Sequence, residues 1–188
     1  MTYIAKDYSN LIGLAGFSDT ALNTHFTLYQ GYVSNTNKLL EKLPTLPTDS
    51  PEYAELKRRF GWEFNGMRLH EYYFGAMTKT YAPLDPTSKL YQKIVTDFGS
   101  YEAWETDFRA TATMRGIGWA ILYYDQAGDK LINTWVNEHD LGHLASCQLL
   151  LNLDVFEHAF LIDYNTKRAD YINAFMGVID WSVVASRF

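Results

Sequence analysis

Two long stretches of helical periodicity, each bounded by prolines, constrain this chain more than any other feature of it. Ser18-Asp19 offers a helix start, after which Leu22, Phe26, Tyr29, Val33, Leu40 and Leu43 recur at intervals of three, four or seven, the spacing of one helical face. Pro44 and Pro47 end that pattern. Ser50-Pro51-Glu52 opens a second one, running through Leu56, Phe60, Phe64, Met67, Tyr73, Phe74 and Met77, with proline in the first turn, where its missing N–H costs nothing. Gly61 and Gly66 either weaken this helix or let a neighbour come close to it. Neither apolar stripe can bury itself, and the connection is short, so the two helices pair as an antiparallel hairpin.

The segment Ala82-Pro83-Leu84-Asp85-Pro86-Thr87 interrupts the helical pattern with two prolines and a cap residue. It divides the chain into residues 1–84 and 85–188. Beyond it, helical patterning spans roughly Thr87 to Met114. GWAILYYD and KLINTWVNE then read as two strands joined by the turn QAGD, and LLLNLDVF as a third. Helical stretches around His158 to Tyr164 and Arg168 to Trp181 close the chain. The expected fold is α+β: an N-terminal antiparallel helical hairpin, then a C-terminal α/β lobe with a small three-stranded antiparallel sheet.

Composition excludes several classes of function. The net charge is −6 and no block of Lys or Arg interrupts it, so nucleic acid finds no electrostatic footprint. No window approaches the about 18 continuous apolar residues of a membrane span, and the opening MTYIAKDYSN lacks the apolar region of a signal peptide. Cys147 is the only cysteine, which rules out an internal disulfide and a cysteine metal cluster and suits a reducing compartment. A cytoplasmic protein without membrane or nucleic-acid partners is expected. Aromatic residues make up 16% of the chain, enough to form an aromatic core or to line a cavity.

Metal chemistry rests on five histidines: His25, His70, His139, His143 and His158. Imidazole is the commonest neutral metal ligand, and a carboxylate adds a hard anionic donor. His25 and His70 fall on the two hairpin helices, which can project one imidazole each into a shared interior. Asp154 ends an apolar strand, where a carboxylate is costly to bury without a cation or hydrogen bonds, and His158 follows four residues later in DVFEH. Either a metal site or a helix cap with a surface histidine would account for that pair. The motif HDLGH carries His139 and His143 four apart, as on the helix of several zinc hydrolases. Gly142 and the absence of an internal glutamate argue against that reading.

The run DVFEHAFLIDYNTKRADYINAFMGVIDW resembles the C-terminal signature of iron/manganese superoxide dismutases, whose form is Asp-x-Trp-Glu-His-Ala-Tyr followed by a Tyr, an Arg-x-Asp-Tyr run and a final Asn/Asp-Trp. HFTLYQGYVSNTN, FNGMRLHEYYF and MRGIGWAILYYD are similar to three further family motifs, in family order. The resemblance implies two lobes with one Fe or Mn ion between them, held by His25, His70, Asp154, His158 and a bound solvent. It implies dismutation of superoxide to oxygen and peroxide. It places His139 against that solvent, where the manganese enzymes carry glutamine. It gives Tyr32 the substrate gate, Trp119 and Phe156 an aromatic wall, and Arg168 a place near the substrate funnel; an anionic substrate approaching a chain of charge −6 needs that funnel to be positive, for which Arg168 and Lys167 or Arg115 are the candidates. It makes Glu157 a bridge to a second subunit in a homodimer.

The chain departs from the family at three places. Relatives commonly have one more residue between the first ligand and the tyrosine than His25 to Tyr32 provides, and one residue turns a helix by about 100°. Either a helix bulge is absent here or His25 is not the ligand. Tyr29 and Leu161 stand where relatives carry histidine and tyrosine. A catalytically silent structural subunit is the alternative to the enzyme.

Overall fold

A computed structural model describes residues 2–188. Helices α1 (Asp19–Lys42) and α2 (Pro51–Gly75) form the expected hairpin, with a single 3-10 turn, Leu43–Thr45, between them. The Ser18 and Ser50 side chains cap the two helices by accepting from the Ala21 and Tyr53 amides. Ser88 and Ser100 do the same for α3 (Lys89–Phe98) and α4 (Tyr101–Thr113). Each such cap stabilises by about 1 kcal/mol. Gly99 separates α3 from α4 at φ +90°, a conformation that favours glycine over residues with a Cβ.

The apolar face of α1 differs from its periodicity at one place. Leu39 is buried and Leu40 is 39% exposed, although at about 100° per residue Leu40 continues the Tyr29, Val33, Thr36 stripe and Leu39 lies to one side of it; the buried face turns at the C-terminal end of the helix. Helix α2 runs unbroken through Gly61 and Gly66. Gly66 instead admits the Tyr32 ring: a Cβ there would lie 2.6 Å from the ring.

Strands β1 (Gly118–Asp125), β2 (Lys130–Asn137) and β3 (Gln148–Asp154) form one antiparallel sheet in the order β2-β1-β3. Leu150 is the extra residue of a bulge in β3, and beyond it Trp119 stands opposite Asp154 and Ile121 opposite Asn152. Side chains alternate along a strand, so Asn152 and Asp154 share the face toward α2, and the Asn152 amide donates to the Leu69 carbonyl. The third strand ends at Asp154, before Val155 and Phe156. Helix α5 (Glu157–Tyr164) follows at once. The last helical stretch is two helices, α6 (Arg168–Met176) and α7 (Trp181–Ser186), broken at Gly177, with Asp180 capping the second. Trp104, Phe108, Trp119, Leu151, Leu153 and Phe175 are fully buried in the core.

Candidate metal centre

His25 on α1, His70 on α2, Asp154 at the end of β3 and His158 in the first turn of α5 converge to one point. One ligand atom from each lies within 4.8 Å of the other three. The geometry is centred on Asp154 Oδ2, which is 3.2 Å from His25 Nε2, 3.5 Å from His70 Nε2 and 3.3 Å from His158 Nε2. The other carboxylate oxygen accepts the Phe156 amide at 2.8 Å, and the Tyr171 hydroxyl, itself partnered by Tyr73, donates to the Asp154 carbonyl. The strand end is therefore held from both sides.

The shorter spacing from His25 to Tyr32 is accommodated by a regular helix. Seven residues make almost two full turns, so both side chains leave α1 on the same face, and His25 meets the other three residues without any bulge. Tyr29, between them, is buried and donates to Glu71 at 3.1 Å.

Protonation within the cluster follows from its hydrogen bonds. The Gly66 carbonyl lies 2.6 Å from His70 Nδ1; a carbonyl only accepts, so Nδ1 carries the hydrogen and the lone pair of Nε2 faces the carboxylate. Among the described residues neither His70 Nε2 nor His158 Nε2 has a hydrogen-bond partner, though both are buried. Lone pairs and a carboxylate oxygen crowded together repel unless a cation sits among them. Burial holds the His25 and His70 pKa values below the ordinary imidazole value. Burial works to raise Asp154, but His158 and His25 outweigh it and hold the carboxyl well below its usual range. Burial also works against a charged His158, and there the neighbouring carboxylate prevails and raises it. With the proton of His158 displaced by a cation, three neutral imidazoles and one anionic oxygen make the donor set of a first-row transition metal such as Fe or Mn.

His139 is fully buried above this cluster, in the turn after β2. Trp119 Nε1 donates to its Nδ1 at 3.0 Å, which leaves the hydrogen on Nε2 to donate to the Tyr32 hydroxyl at 2.8 Å. The Tyr32 ring stacks on His70 with centroids 5.2 Å apart, and Trp119 meets His70 edge-on at 5.1 Å. Phe156 stacks on both His139 and His158.

Burial pushes the His139 pKa down to about 4 from 6.5. Between those values the unfolded chain binds a proton that the folded chain refuses, so stability falls as pH drops from 6.5 toward 4. A difference of this size is worth about 3 kcal/mol. Metal-free His139→Gln is expected to lose that much less stability than the parent between pH 7 and 4, as read from urea unfolding. Parallel pH profiles for the two proteins would contradict the assignment.

The remaining residues singled out by sequence lie at the rim. Glu157 is exposed in the first turn of α5, and Leu161 and Ile162 are exposed one turn on. The Arg168 guanidinium is half-buried over the Phe160 ring and donates to the Met114 and Gly116 carbonyls. The HDLGH segment is a turn, not a helix, and His143 Nε2 lies 2.8 Å from the His139 carbonyl, so the paired-ligand reading of that motif does not hold. Sequence reasoning missed Trp62 and Glu138. The Trp62 indole donates to Glu138 at 2.7 Å and packs against Tyr32 and His139, with Arg59 above it. The available signal was the four-residue spacing of Trp62, Gly66 and His70, which places all three along one face of α2.

Comparison with known proteins agrees with this geometry. Residues 86–187 match the family model described as the C-terminal domain of iron/manganese superoxide dismutases. The chain is 34% identical to the iron superoxide dismutase of Aquifex pyrophilus, over 97% of this chain and 89% of that protein. It is 36% identical to manganese superoxide dismutase 2 of Haloferax volcanii and to the iron superoxide dismutase of Methanothermobacter thermautotrophicus, in both cases over 87% of this chain and 82% of the relative.

Proposed function

Because the chain belongs to the iron/manganese superoxide dismutase family, we propose that it holds one Fe or Mn ion through His25, His70, Asp154 and His158 and dismutates superoxide. Two superoxide anions and two protons give one oxygen and one hydrogen peroxide. The convergence of three imidazole nitrogens on one buried carboxylate oxygen carries this reading. It also favours an enzyme over a silent structural relative, since all four ligand positions are filled and none is diverted to another partner.

When bound, the ion would supply one-electron redox chemistry by alternating between its 3+ and 2+ states. The protein's own part is to position protons and to shape the approach. Burial pushes the Tyr32 pKa upward, so its hydroxyl stays protonated at neutral pH. His139 Nε2–H already donates to that oxygen, which leaves the Tyr32 hydrogen free to be given toward the centre. Trp119 and Phe156 wall the space and keep these hydrogen bonds out of bulk water. Arg168, Lys167 and Arg115 surround a recess beside Glu157 and supply positive charge for an anionic substrate.

The reading extends to a division of the chain at residue 84, to a homodimer and to the cytoplasm. Exposed Glu157 beside His158, together with exposed Met114, Leu161 and Ile162, supports a second copy covering this face. Sedimentation is expected to give twice the chain mass; an active monomer would reject the dimer. The lone Cys147 suits a reducing compartment, and no helix among the described residues is long and apolar enough to cross a membrane.

Metal analysis of protein produced with iron or with manganese, followed by superoxide dismutation by each form, tests the central proposal. About one ion per chain and activity in at least one form are expected. Folded protein that takes up neither ion, or that is loaded and inert, would refute it.

A further inference from the structure

His143 is the one histidine with no part in the chemistry above, yet both of its nitrogens are engaged. Its Nε2 lies 2.8 Å from the His139 carbonyl and its Nδ1 lies 2.6 Å from the Tyr123 hydroxyl. Since a carbonyl only accepts, Nε2 carries the hydrogen and donates, and the Tyr123 hydroxyl donates to Nδ1. The ring is thus fixed at both ends, on one side by the main chain of the β2–β3 connection and on the other by a residue of β1.

The segment it grips is poorly suited to hold itself. Glu138, immediately before His139, has φ +51°, and Gly142, immediately before His143, has φ +103°; such conformations persist where the surroundings impose them. The turn is closed by one pair of main-chain hydrogen bonds, between Asn137 and Leu141. His139 lies inside that turn. Its ring is tethered by Trp119 and Tyr32, and its carbonyl by His143. The His143 side chain reaches it from a cavity of about 340 Å³ whose walls include Asn65, Arg68, Tyr72 and Cys147 but none of the four ligands.

We propose that His143, oriented by Tyr123, is the positioning residue of His139: it anchors the main chain of the turn and so sets where the His139 Nε2–H points relative to the metal ligands. Trp119 and Tyr32 fix the imidazole against rotation. They do not prevent the whole turn from shifting, which is what the bond to the carbonyl does. The proposal rests on the role given to His139 above.

The test compares His143→Ala, His143→Gln and His139→Ala. The glutamine variant places an amide N–H near the position of the lost Nε2–H. Two readouts are taken: the imidazole nitrogen resonances of His139 in metal-free protein, and the reduction potential of the iron-loaded protein. His143→Ala is expected to abolish the protected Nε2–H resonance of His139 and to shift the potential in the same direction as His139→Ala, while His143→Gln restores both. Wild-type values for both readouts in His143→Ala would overturn the proposal, as would a folded His143→Gln that restores neither. If His139→Ala leaves the potential unchanged, the hydrogen bond from His139 to Tyr32 does not reach the metal and the potential no longer reports on His143. The metal-free resonances then decide the positioning by themselves: altered in His143→Ala they support it, and unaltered they overturn it.

Discussion

Replacing His158 by alanine is expected to leave a folded protein that neither retains Fe or Mn nor dismutates superoxide. The His158 side chain is 23% exposed at the start of α5, so its removal opens no large void in the core; the buried Asp154 carboxylate loses its charged partner, and metal-free protein should stay folded while losing about 3 kcal/mol. The centre loses far more. One of four donors disappears, and with it the group that does most to keep the Asp154 carboxyl ionised. Loss of an outer partner of a ligand already weakens metal sites by roughly 10- to 100-fold, and loss of a ligand should exceed that. Metal content after exhaustive dialysis, measured beside dismutation and a circular-dichroism melt, separates the two effects. An alanine variant that kept its metal and its activity would remove His158 from the ligand set.

Gly118→Ala is expected to produce the largest loss of stability from a single methyl group. At φ +136°, a Cβ on this residue would lie 2.0 Å from the Val136 carbonyl oxygen, which belongs to the neighbouring strand. A main-chain atom cannot swing aside as a side chain would. The unfavourable conformation costs about 1–3 kcal/mol and the overlap a similar amount or more, out of a total stability of about 5–15 kcal/mol. The damage reaches the centre as well, because the Gly118 carbonyl accepts the Val155 amide and Trp119 follows directly. Gly61→Ala is the matched control: nothing lies within 4 Å of its Cβ position in α2, and helix propensity predicts a gain of roughly 0.5–1 kcal/mol. Urea unfolding of the two variants would show shifts of opposite sign. Equal midpoints would mean that the close approach of β1 and β2 is not as described.

The centre was legible in the sequence chiefly through the family resemblance. A carboxylate at the end of an apolar strand needs a partner, but DVFEH read alone fits a helix cap as well as a metal site, and the resemblance chose between them. His25 and His70 lie on two helices that their apolar stripes force to pair, which allows a shared site without requiring one. The departures arose where packing overrides a local pattern. Periodicity puts Leu40 on the α1 stripe, and only packing at the end of the helix buries Leu39 in its place. The end of β3 at Asp154, and the break at Gly177, are decided by which amides find partners across the sheet or in a cap.

By itself, the sequence determined the two-helix hairpin and the three strands, and its resemblance to a known family named the groups expected at the centre. Periodicity, prolines and capping serines are local, and local signals survive in one dimension. Tertiary structure alone decided that Nε2 atoms from three helices face one carboxylate oxygen, that Gly66 exists to admit the Tyr32 ring, and that Trp62 and His143 brace the surroundings of His139. Those facts concern residues far apart in the chain. Their physical content is the distance and direction between side chains, which becomes fixed only when the hairpin packs against the sheet.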